Sequence, residues 1–151
     1  MAEPVHVVCP RCDAINRMPW QRLADHGKCG KCGQALFDGR PLAVDAARFA
    51  RHVGQNGIPV LVDFWAPWCG PCRAMAPEFE KAAGRLEPGV RLLKLDTEAV
   101  PQVAEQYAIR SIPTLILFAA GRELARTAGA MNAAGLAEWV GSRVPARHDA
   151  A

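Results

Sequence analysis

The feature that most constrains this chain is its set of cysteines, because all six fall in Cys-x-x-Cys pairs and none is left over. The pairs occupy positions 9 and 12, 29 and 32, and 69 and 72. The N-terminus carries neither a basic leader nor an apolar stretch of signal-peptide length, so we expect a cytoplasmic protein, in which structural disulfides are uncommon. In such a compartment, closely spaced cysteine pairs are typical of metal ligands or redox-active dithiols.

Composition indicates a globular protein with one ordinary domain and room for a small accessory module. The 151 residues are 50% hydrophobic and 22% charged, with a net charge of +3, as in ordinary globular proteins. The basic residues form no run that would favour binding to nucleic acid phosphates. No apolar run is long enough to cross a bilayer. We therefore expect neither nucleic acid nor a membrane as a partner.

The residue pattern divides the chain between residues 40 and 41. Residues 1–40 are dense in Gly, Cys and polar residues, whereas apolar strands alternate with amphipathic helices over residues 41–144. We interpret residues 145–151 as a flexible tail. The predicted strands cover 42–44, 59–66, 90–96, 114–119 and 123–128, and the predicted helices 46–55, 70–86, 100–107 and a last one capped by Asn132. Alternating strands and helices followed by a hairpin predict an α/β domain with a mixed sheet.

The pair Cys69 and Cys72 lies where a buried strand gives way to a helix. A thiolate at a helix N-terminus faces unpaired backbone N–H groups and the positive end of the helix dipole, so its pKa is expected to fall. Cys69, at the exposed end, is then the predicted nucleophile, and Cys72, inside the first turn, the predicted resolving thiol. The alternatives are a second metal half-site or two inert buried cysteines, but no further Cys-x-x-Cys pair remains to complete a metal site.

Two residues outside this pair are candidates for the same chemistry. Asp63 interrupts an apolar strand six residues before Cys69, where burial is expected to raise its pKa and let it take the proton from Cys72. The alternative for Asp63 is a solvated structural carboxylate at a strand end. Pro113 opens a later strand, in a position where an X-Pro bond can be cis.

Two stretches then resemble the thioredoxin family closely: Phe-Trp-Ala-Pro-Trp-Cys-Gly-Pro-Cys at 64–72 and Ile-Arg-Ser-Ile-Pro-Thr at 109–114. The resemblance covers about residues 41–142 and implies a thioredoxin fold, a five-stranded mixed sheet flanked by helices. It implies that Cys69 and Cys72 are the redox pair, that Asp63 is the proton-transfer carboxylate and that Lys94 lies near it. It also implies that Pro113 is a cis-proline facing the dithiol and that Pro77 kinks the helix. The substrate surface that it implies consists of Trp68, Gly70, Pro71, Ile112, Pro113, Gly129 and Ala130.

The four remaining cysteines have the spacing of a tetrahedral zinc site. Cys9 and Cys12 are separated from Cys29 and Cys32 by sixteen residues, which fits two knuckles of a zinc ribbon. The segment has so few apolar residues that we expect it to have no core of its own and to depend on metal binding for its folding energy. Two disulfides or a second redox pair are the alternatives. Six basic and four acidic side chains, offset by a Zn(Cys)₄ charge of −2, leave the module near neutral, which argues against nucleic acid binding.

This N-terminal segment resembles that of the zinc-containing branch of the thioredoxin family. The resemblance implies a protein-disulfide reductase, acting as a monomer on oxidised client proteins and recharged by thioredoxin reductase with NADPH. The chain has no Gly-x-Gly-x-x-Gly loop, so we expect no bound nucleotide; the cofactor is one Zn²⁺, beside the redox-active disulfide. The alternatives are a disulfide oxidase or isomerase, a zinc-dependent holdase with an incidental dithiol, and a zinc site that is itself redox-sensitive.

Overall fold

The computed structural model describes residues 4–144 and consists of seven strands and four α-helices within that range. The strands are β1 (Pro4–Val8), β2 (Ile15–Pro19), β3 (Leu42–Ala43), β4 (Val60–Trp65), β5 (Arg91–Asp96), β6 (Thr114–Ala119) and β7 (Arg122–Ala128). The helices are α1 (Ala46–Gln55), α2 (Gly70–Leu86), α3 (Pro101–Gln106) and α4 (Ala133–Gly141), and a 3-10 turn covers Trp20–Arg22. The tail expected at 145–151 lies outside the described residues. No helix among the described residues is both long and apolar enough to span a membrane.

Capping residues fix where the helices begin. The Asp45 side chain accepts a hydrogen bond from Arg48 N at the start of α1, and Asn132 does the same for Gly135 N at the start of α4. Both satisfy backbone donors that a helix leaves unpaired in its first turn. The predicted helices and strands of residues 41–144 agree with the observed ones to within about two residues, because caps, turns and apolar runs are local signals.

The main sheet has five strands in the order β3-β5-β4-β6-β7. β3, β5 and β4 are parallel, whereas β6 and β7 are antiparallel to their neighbours, so the sheet is mixed as predicted. Ala120 and Gly121 both have positive φ, 51° and 78°, as the tight turn between β6 and β7 requires. The parallel strands end at one edge of the sheet, and this edge carries the Cys69–Cys72 pair.

Each face of the sheet has its own buried cluster. One face packs against α1 and α3 through Phe49, Phe64, Tyr107 and Phe118, whose rings meet at centroid distances of 5.4–6.3 Å. The other face packs against α2 and α4 and includes Leu61 of β4. Successive strand residues point to opposite faces, so Asp63, two positions after Leu61, also faces α2.

The N-terminal segment differs from its prediction, because it does have a small core. β1 and β2 form an antiparallel hairpin in which Val5 and Val7 are buried. They pack with Leu23, Leu36 and Ile58. Ile58 belongs to the chain just before β4, so the segment completes its core with a residue of the larger domain. The expectation of a coreless segment was wrong because these apolar side chains are scattered along the sequence and only the folded knuckles bring them together.

Hydrogen bonds from buried polar side chains join the hairpin to the larger domain. Arg91, which is 1% exposed, donates to Val8 O at 3.0 Å and Leu36 O at 2.8 Å, and lies 3.4 Å from the Glu87 carboxylate. Asn56 Oδ1 accepts a hydrogen bond from Val8 N at 2.8 Å. Buried polar groups need such partners, so the two modules share a buried interface.

A second junction holds the first cysteine knuckle against α1. Asp13 follows Cys12 directly and accepts hydrogen bonds from Arg48 Nε and Nη2 at 2.8–3.1 Å. His52 Nε2 lies 3.0 Å from Asp13 Oδ1. Burial lowers the pKa of His52 to about 4 against the opposing pull of Asp13, so His52 is neutral at pH 7 and donates Nε2–H to the carboxylate.

Candidate active site and metal centre

The redox pair lies where β4 ends and α2 begins. Cys69 is the N-cap of α2, Gly70 and Pro71 form its first turn, and Cys72 lies within that turn. The two sulfur atoms are joined as a disulfide. Pro71 is tolerated there because a helix leaves its first N–H groups without intrahelical partners. The strand-to-helix junction thus places both sulfurs at the positive end of a 17-residue helix,.

The backbone around Cys69 favours a negative charge on its sulfur. Cys72 N donates to Cys69 Sγ at 3.2 Å, and this bond would also stabilise a thiolate. Cys69 is 5% exposed and Cys72 is 2% exposed. Cys69 is therefore the more exposed residue of the two, although the oxidised pair is less open than the sequence suggested. Ala66, Trp65 and Ile112 pack around the pair.

Asp63 lies on β4 two positions after Leu61, on the face of the sheet that α2 covers,. It is 1% exposed, and neither carboxylate oxygen has a hydrogen-bond partner among the described residues. Burial raises the pKa of Asp63 to about 7, and the charge of Lys94 opposes that rise. Lys94 is paired with Asp63 in the β4–β5 register, and its Nζ lies 4.5 Å from the centre of the Trp65 ring. A carboxyl group in this state exchanges a proton near neutral pH.

The segment just before β6 lies against the disulfide. The Ile112–Pro113 bond is cis, and Cys69 Sγ lies 3.8 Å from Ile112 O. Gly129 N donates to Pro113 O at 2.9 Å, which joins the loop after β7 to the cis-proline.

The residues predicted as a substrate surface differ in their exposure. Trp68 is 65% exposed, Gly70, Pro71, Gly129 and Ala130 are exposed, Ile112 is half-buried and Pro113 is buried. The sequence reasoning missed Glu98, whose Oε1 accepts a hydrogen bond from Trp68 Nε1 at 2.9 Å. An exposed glutamate thirty positions away carries no local signal of that role.

The side chains of the four N-terminal cysteines form one cluster. Their sulfur atoms all lie within 4.8 Å of one another. Cys9 Sγ and Cys32 Sγ are 3.7 Å apart, and Cys12 Sγ and Cys29 Sγ are 3.6 Å apart. Zinc–sulfur bonds of about 2.3 Å in a tetrahedron require sulfur–sulfur distances of about 3.8 Å. The donor set and its spacing therefore fit a Zn²⁺ ion.

Backbone and amide donors around this cluster favour thiolates. Arg11 N donates to Cys9 Sγ at 3.3 Å, and Lys31 N donates to Cys29 Sγ at 3.4 Å. Asn16, which the sequence reasoning did not single out as a site residue, donates Nδ2 to Cys29 Sγ at 3.5 Å and accepts from Gly30 N at 2.9 Å. The Cys32 N–H, the Asn16 amide and the Lys31 N–H together lower the pKa of Cys29 to about 6. Donors that bond to a ligand sulfur in this way orient it for a metal.

A pair of cysteines that alternates between dithiol and disulfide beside a surface open to polypeptides defines the thiol–disulfide oxidoreductases. Comparison with known proteins narrows the class. Residues 40–142 match the family described as thioredoxin, and residues 8–34 match the family described as thioredoxin 2, N-terminal. The chain belongs to the thioredoxin family, and it carries the N-terminal zinc ribbon as well as the thioredoxin fold.

Individual relatives agree with this assignment. Thioredoxin C-3 of Corynebacterium nephridii is 42% identical over 134 residues, which cover 89% of this chain and 92% of that protein. Thioredoxin 1 of Synechococcus elongatus is 48% identical over 89 residues, covering 59% of this chain and 83% of that protein. The crystal structure of chloroplastic thioredoxin z superposes on this chain with a TM-score of 0.63 at 28% sequence identity. The match covers 68% of this chain and 93% of the thioredoxin z chain.

Proposed function

We propose that this protein reduces disulfides of client proteins through Cys69 and Cys72. The observation that carries the proposal is the position of the pair, a disulfide at a helix N-terminus. The buried Asp63 lies on the sheet face that this helix covers, and the carbonyl of Ile112, before the cis-Pro113, lies 3.8 Å from Cys69 Sγ. The known relatives are thioredoxins, which supports the same activity.

The proposed reaction has two steps and transfers two electrons to the client. The Cys69 thiolate attacks one sulfur of the client disulfide, forms a mixed disulfide and releases the other client sulfur as a thiolate. Cys72 then loses its proton and attacks Cys69 Sγ, so that the mixed bond breaks and the second client sulfur leaves. The products are the Cys69–Cys72 disulfide, the state seen in the structure, and a client dithiol.

Asp63 is the proposed acceptor of the Cys72 proton. Because its pKa is about 7, part of the Asp63 population is a carboxylate at neutral pH and can accept a proton. Asp63 also lies on the face of the sheet that is covered by α2, the helix that carries Cys72. Lys94 would stabilise the carboxylate from the adjacent strand. We propose that Trp68, Ile112, Gly129 and their neighbours in the predicted surface bind the client as an extended segment.

Regeneration of the dithiol requires a partner. The sequence has no Gly-x-Gly-x-x-Gly loop for a dinucleotide, so we propose that NADPH-dependent thioredoxin reductase supplies the two electrons. Membership of the thioredoxin family supports this partner, and on the same ground we propose a monomeric state and a cytoplasmic location.

We propose that residues 1–40 form a zinc-ribbon module and residues 41–144 the thioredoxin domain. Cys9, Cys12, Cys29 and Cys32 would hold one Zn²⁺, which when bound cross-links the two knuckles. A four-thiolate site has no open position for a substrate, so the proposed role of the metal is structural. Zinc content measured by atomic absorption should approach one per chain and fall when any of these cysteines is replaced.

Insulin reduction driven by dithiothreitol tests the proposal. We expect the wild-type chain to accelerate precipitation of the insulin B chain, and Cys69→Ser to abolish the acceleration. Cys72→Ser is the matched variant. Its Cys69 should still attack the client disulfide, but without the resolving thiol the protein should accumulate as a mixed disulfide with the client. Unchanged turnover in Cys69→Ser would refute the assignment, and client binding that survives loss of both sulfurs would favour the holdase alternative.

A further inference from the structure

Glu78 joins the redox helix to the loop that carries part of the proposed substrate surface. It lies on α2 directly after Pro77, and its Oε1 accepts a hydrogen bond from Ala133 N at 2.9 Å. Ala133 is the first residue of α4 and follows the loop 129–132. The redox pair occupies the first turn of the same helix. One side chain thus connects the element that carries the sulfurs with the end of the loop.

The loop 129–132 is held at both ends. At its start, Gly129 N donates to Pro113 O at 2.9 Å, and Gly129 has a φ of +100°, a conformation that favours glycine. At its end, Asn132 caps α4 through Gly135 N at 2.8 Å. Glu78 adds a third attachment at Ala133. Between these points Gly129 and Ala130 are exposed, so they are accessible to a client on a loop with fixed ends.

The environment of Glu78 makes this attachment a charged hydrogen bond. The Ala133 N–H is one of the donors that α4 cannot satisfy internally, and the residue is 3% exposed,. A carboxylate at a helix N-terminus also interacts favourably with the helix dipole. Lys81 Nζ contacts the other oxygen, Oε2, at 3.2 Å, which restrains the carboxylate. The bond to Ala133 and the contact with Lys81 hold the pKa of Glu78 below its usual range.

We propose that Glu78 is a positioning residue for client binding, which fixes the loop 129–132 relative to the redox helix through Ala133 N. This inference rests on the proposed function, because it assigns Gly129 and Ala130 to the client-binding edge. Glu78 does not touch the reacting sulfurs. Its loss should therefore weaken the binding of an extended polypeptide and leave the chemistry of a small disulfide unchanged.

The experiment uses the full zinc-loaded chain, reduced beforehand and mixed with excess oxidised substrate in a stopped-flow instrument. Insulin is the polypeptide substrate, and the aromatic disulfide DTNB is the small one. For Glu78→Ala we expect the half-saturating insulin concentration to rise about three- to tenfold, the range for the loss of one ordinary hydrogen bond. The limiting rate with insulin and the rate with DTNB should stay within about twofold of wild type.

Two further variants separate the hydrogen bond from general effects on the helix. Glu78→Gln keeps an oxygen that can accept from Ala133 N and should restore most of the insulin affinity. Glu80→Ala removes an exposed carboxylate from the same helix and should leave both substrates unchanged. Equal effects of Glu78→Ala and Glu80→Ala, or no rescue by Glu78→Gln, would overturn the proposal.

Ala133→Pro removes the donor and leaves Glu78 in place. Proline is tolerated at the first position of a helix, and the preceding Asn132 is extended, with ψ at 173°, as a residue before proline should be. We expect Ala133→Pro to raise the half-saturating insulin concentration as Glu78→Ala does, and the double variant to add nothing further. Additive effects would mean that the two residues act separately and would refute the inference.

Amide hydrogen exchange provides a readout that does not depend on activity. In Glu78→Ala, exchange at Ala133 and Gly129 should accelerate at least tenfold, whereas amides of β4 should be unaffected. If the alanine variant does not fold, Ala133→Pro carries the insulin comparison, and its amide exchange is measured at Gly129 because proline has no amide hydrogen. Unchanged exchange at Ala133 in folded Glu78→Ala, or at Gly129 in folded Ala133→Pro, would overturn the inference. If the wild-type chain itself reduces DTNB but not insulin, the proposed function fails, and the exchange result still decides whether Glu78 fixes the loop.

Discussion

Neutralising the buried carboxyl group by Asp63→Asn should stabilise the oxidised protein, and more so as the pH rises. Asp63 is 1% exposed, and neither oxygen has a hydrogen-bond partner among the described residues. Burial therefore disfavours the charged form and raises the pKa from its ordinary value of 3.8 to about 7, even though Lys94 opposes the shift. At every pH where Asp63 would be ionised in the unfolded chain, burying it therefore lowers the free energy of unfolding.

The two pKa values set the size and the pH range of the effect. A raised folded-state pKa gives stability that is complete below pH 3.8 and is lost as the pH rises through about 7,. A difference of about three pH units at about 1.4 kcal/mol each corresponds to about 4 kcal/mol lost at alkaline pH. Asp63→Asn removes this loss. The gain in unfolding free energy over wild type should increase by about 3 kcal/mol between pH 5 and pH 9 and level off above pH 8.

Urea unfolding of the oxidised, zinc-loaded proteins, followed by tryptophan fluorescence at several pH values, measures this difference. Protonation of the zinc ligands affects both proteins alike and cancels in the comparison. Glu80→Gln is the control, because it neutralises an exposed carboxylate on α2 and should show a small, pH-independent change. A gain for Asp63→Asn that stays constant from pH 5 to pH 9 would refute the argument that desolvation controls this group.

Two further predictions concern the N-terminal module. Arg91→Met should lower the unfolding free energy by about 3 kcal/mol, because it leaves two ribbon carbonyls without their donor and Glu87 buried without its cationic partner,; urea unfolding at pH 7 measures this. Asn16→Ala should weaken zinc affinity about 10- to 100-fold in chelator competition, because Asn16 donates to Cys29 Sγ and holds the second knuckle,.

Exposed neighbours provide the controls for these two variants. Arg85→Met removes an exposed arginine from α2, and Arg17→Ala an exposed one from β2; both should be close to wild type in the same assays. A loss of under 1 kcal/mol for Arg91→Met would show that the buried guanidinium does not hold the modules together. Zinc affinity in Asn16→Ala equal to that of Arg17→Ala would contradict the role assigned to the amide.

Much of the larger domain could be predicted from the sequence because its signals are local. Asp45 and Asn132 cap helices, the apolar run 60–65 is a central strand, and the Gly-Pro spacer starts α2 at Gly70. The two Cys-x-x-Cys pairs of the ribbon likewise predicted a four-sulfur cluster, since each knuckle is a short-range structure and sixteen residues suffice to bring the two together.

The N-terminal segment shows where this reasoning failed. Its apolar residues are few, and the expectation of a segment without a core followed from counting them. The core exists because Ile58 of the larger domain completes it and Arg91 satisfies the carbonyls beneath it. No pattern within residues 1–40 contains those partners, and Arg91 by itself resembles any arginine at the start of a strand.

The sequence by itself determined which elements form, which cysteines pair in each motif and that Asp63 would be costly to ionise, because each depends on neighbours a few positions away. Only the tertiary structure decided which other distant groups meet: Glu98 on Trp68, and Glu78 on Ala133. The reason is physical. Hydrogen bonds and ion pairs act over a few ångströms, and which distant residues come that close depends on how the whole chain packs.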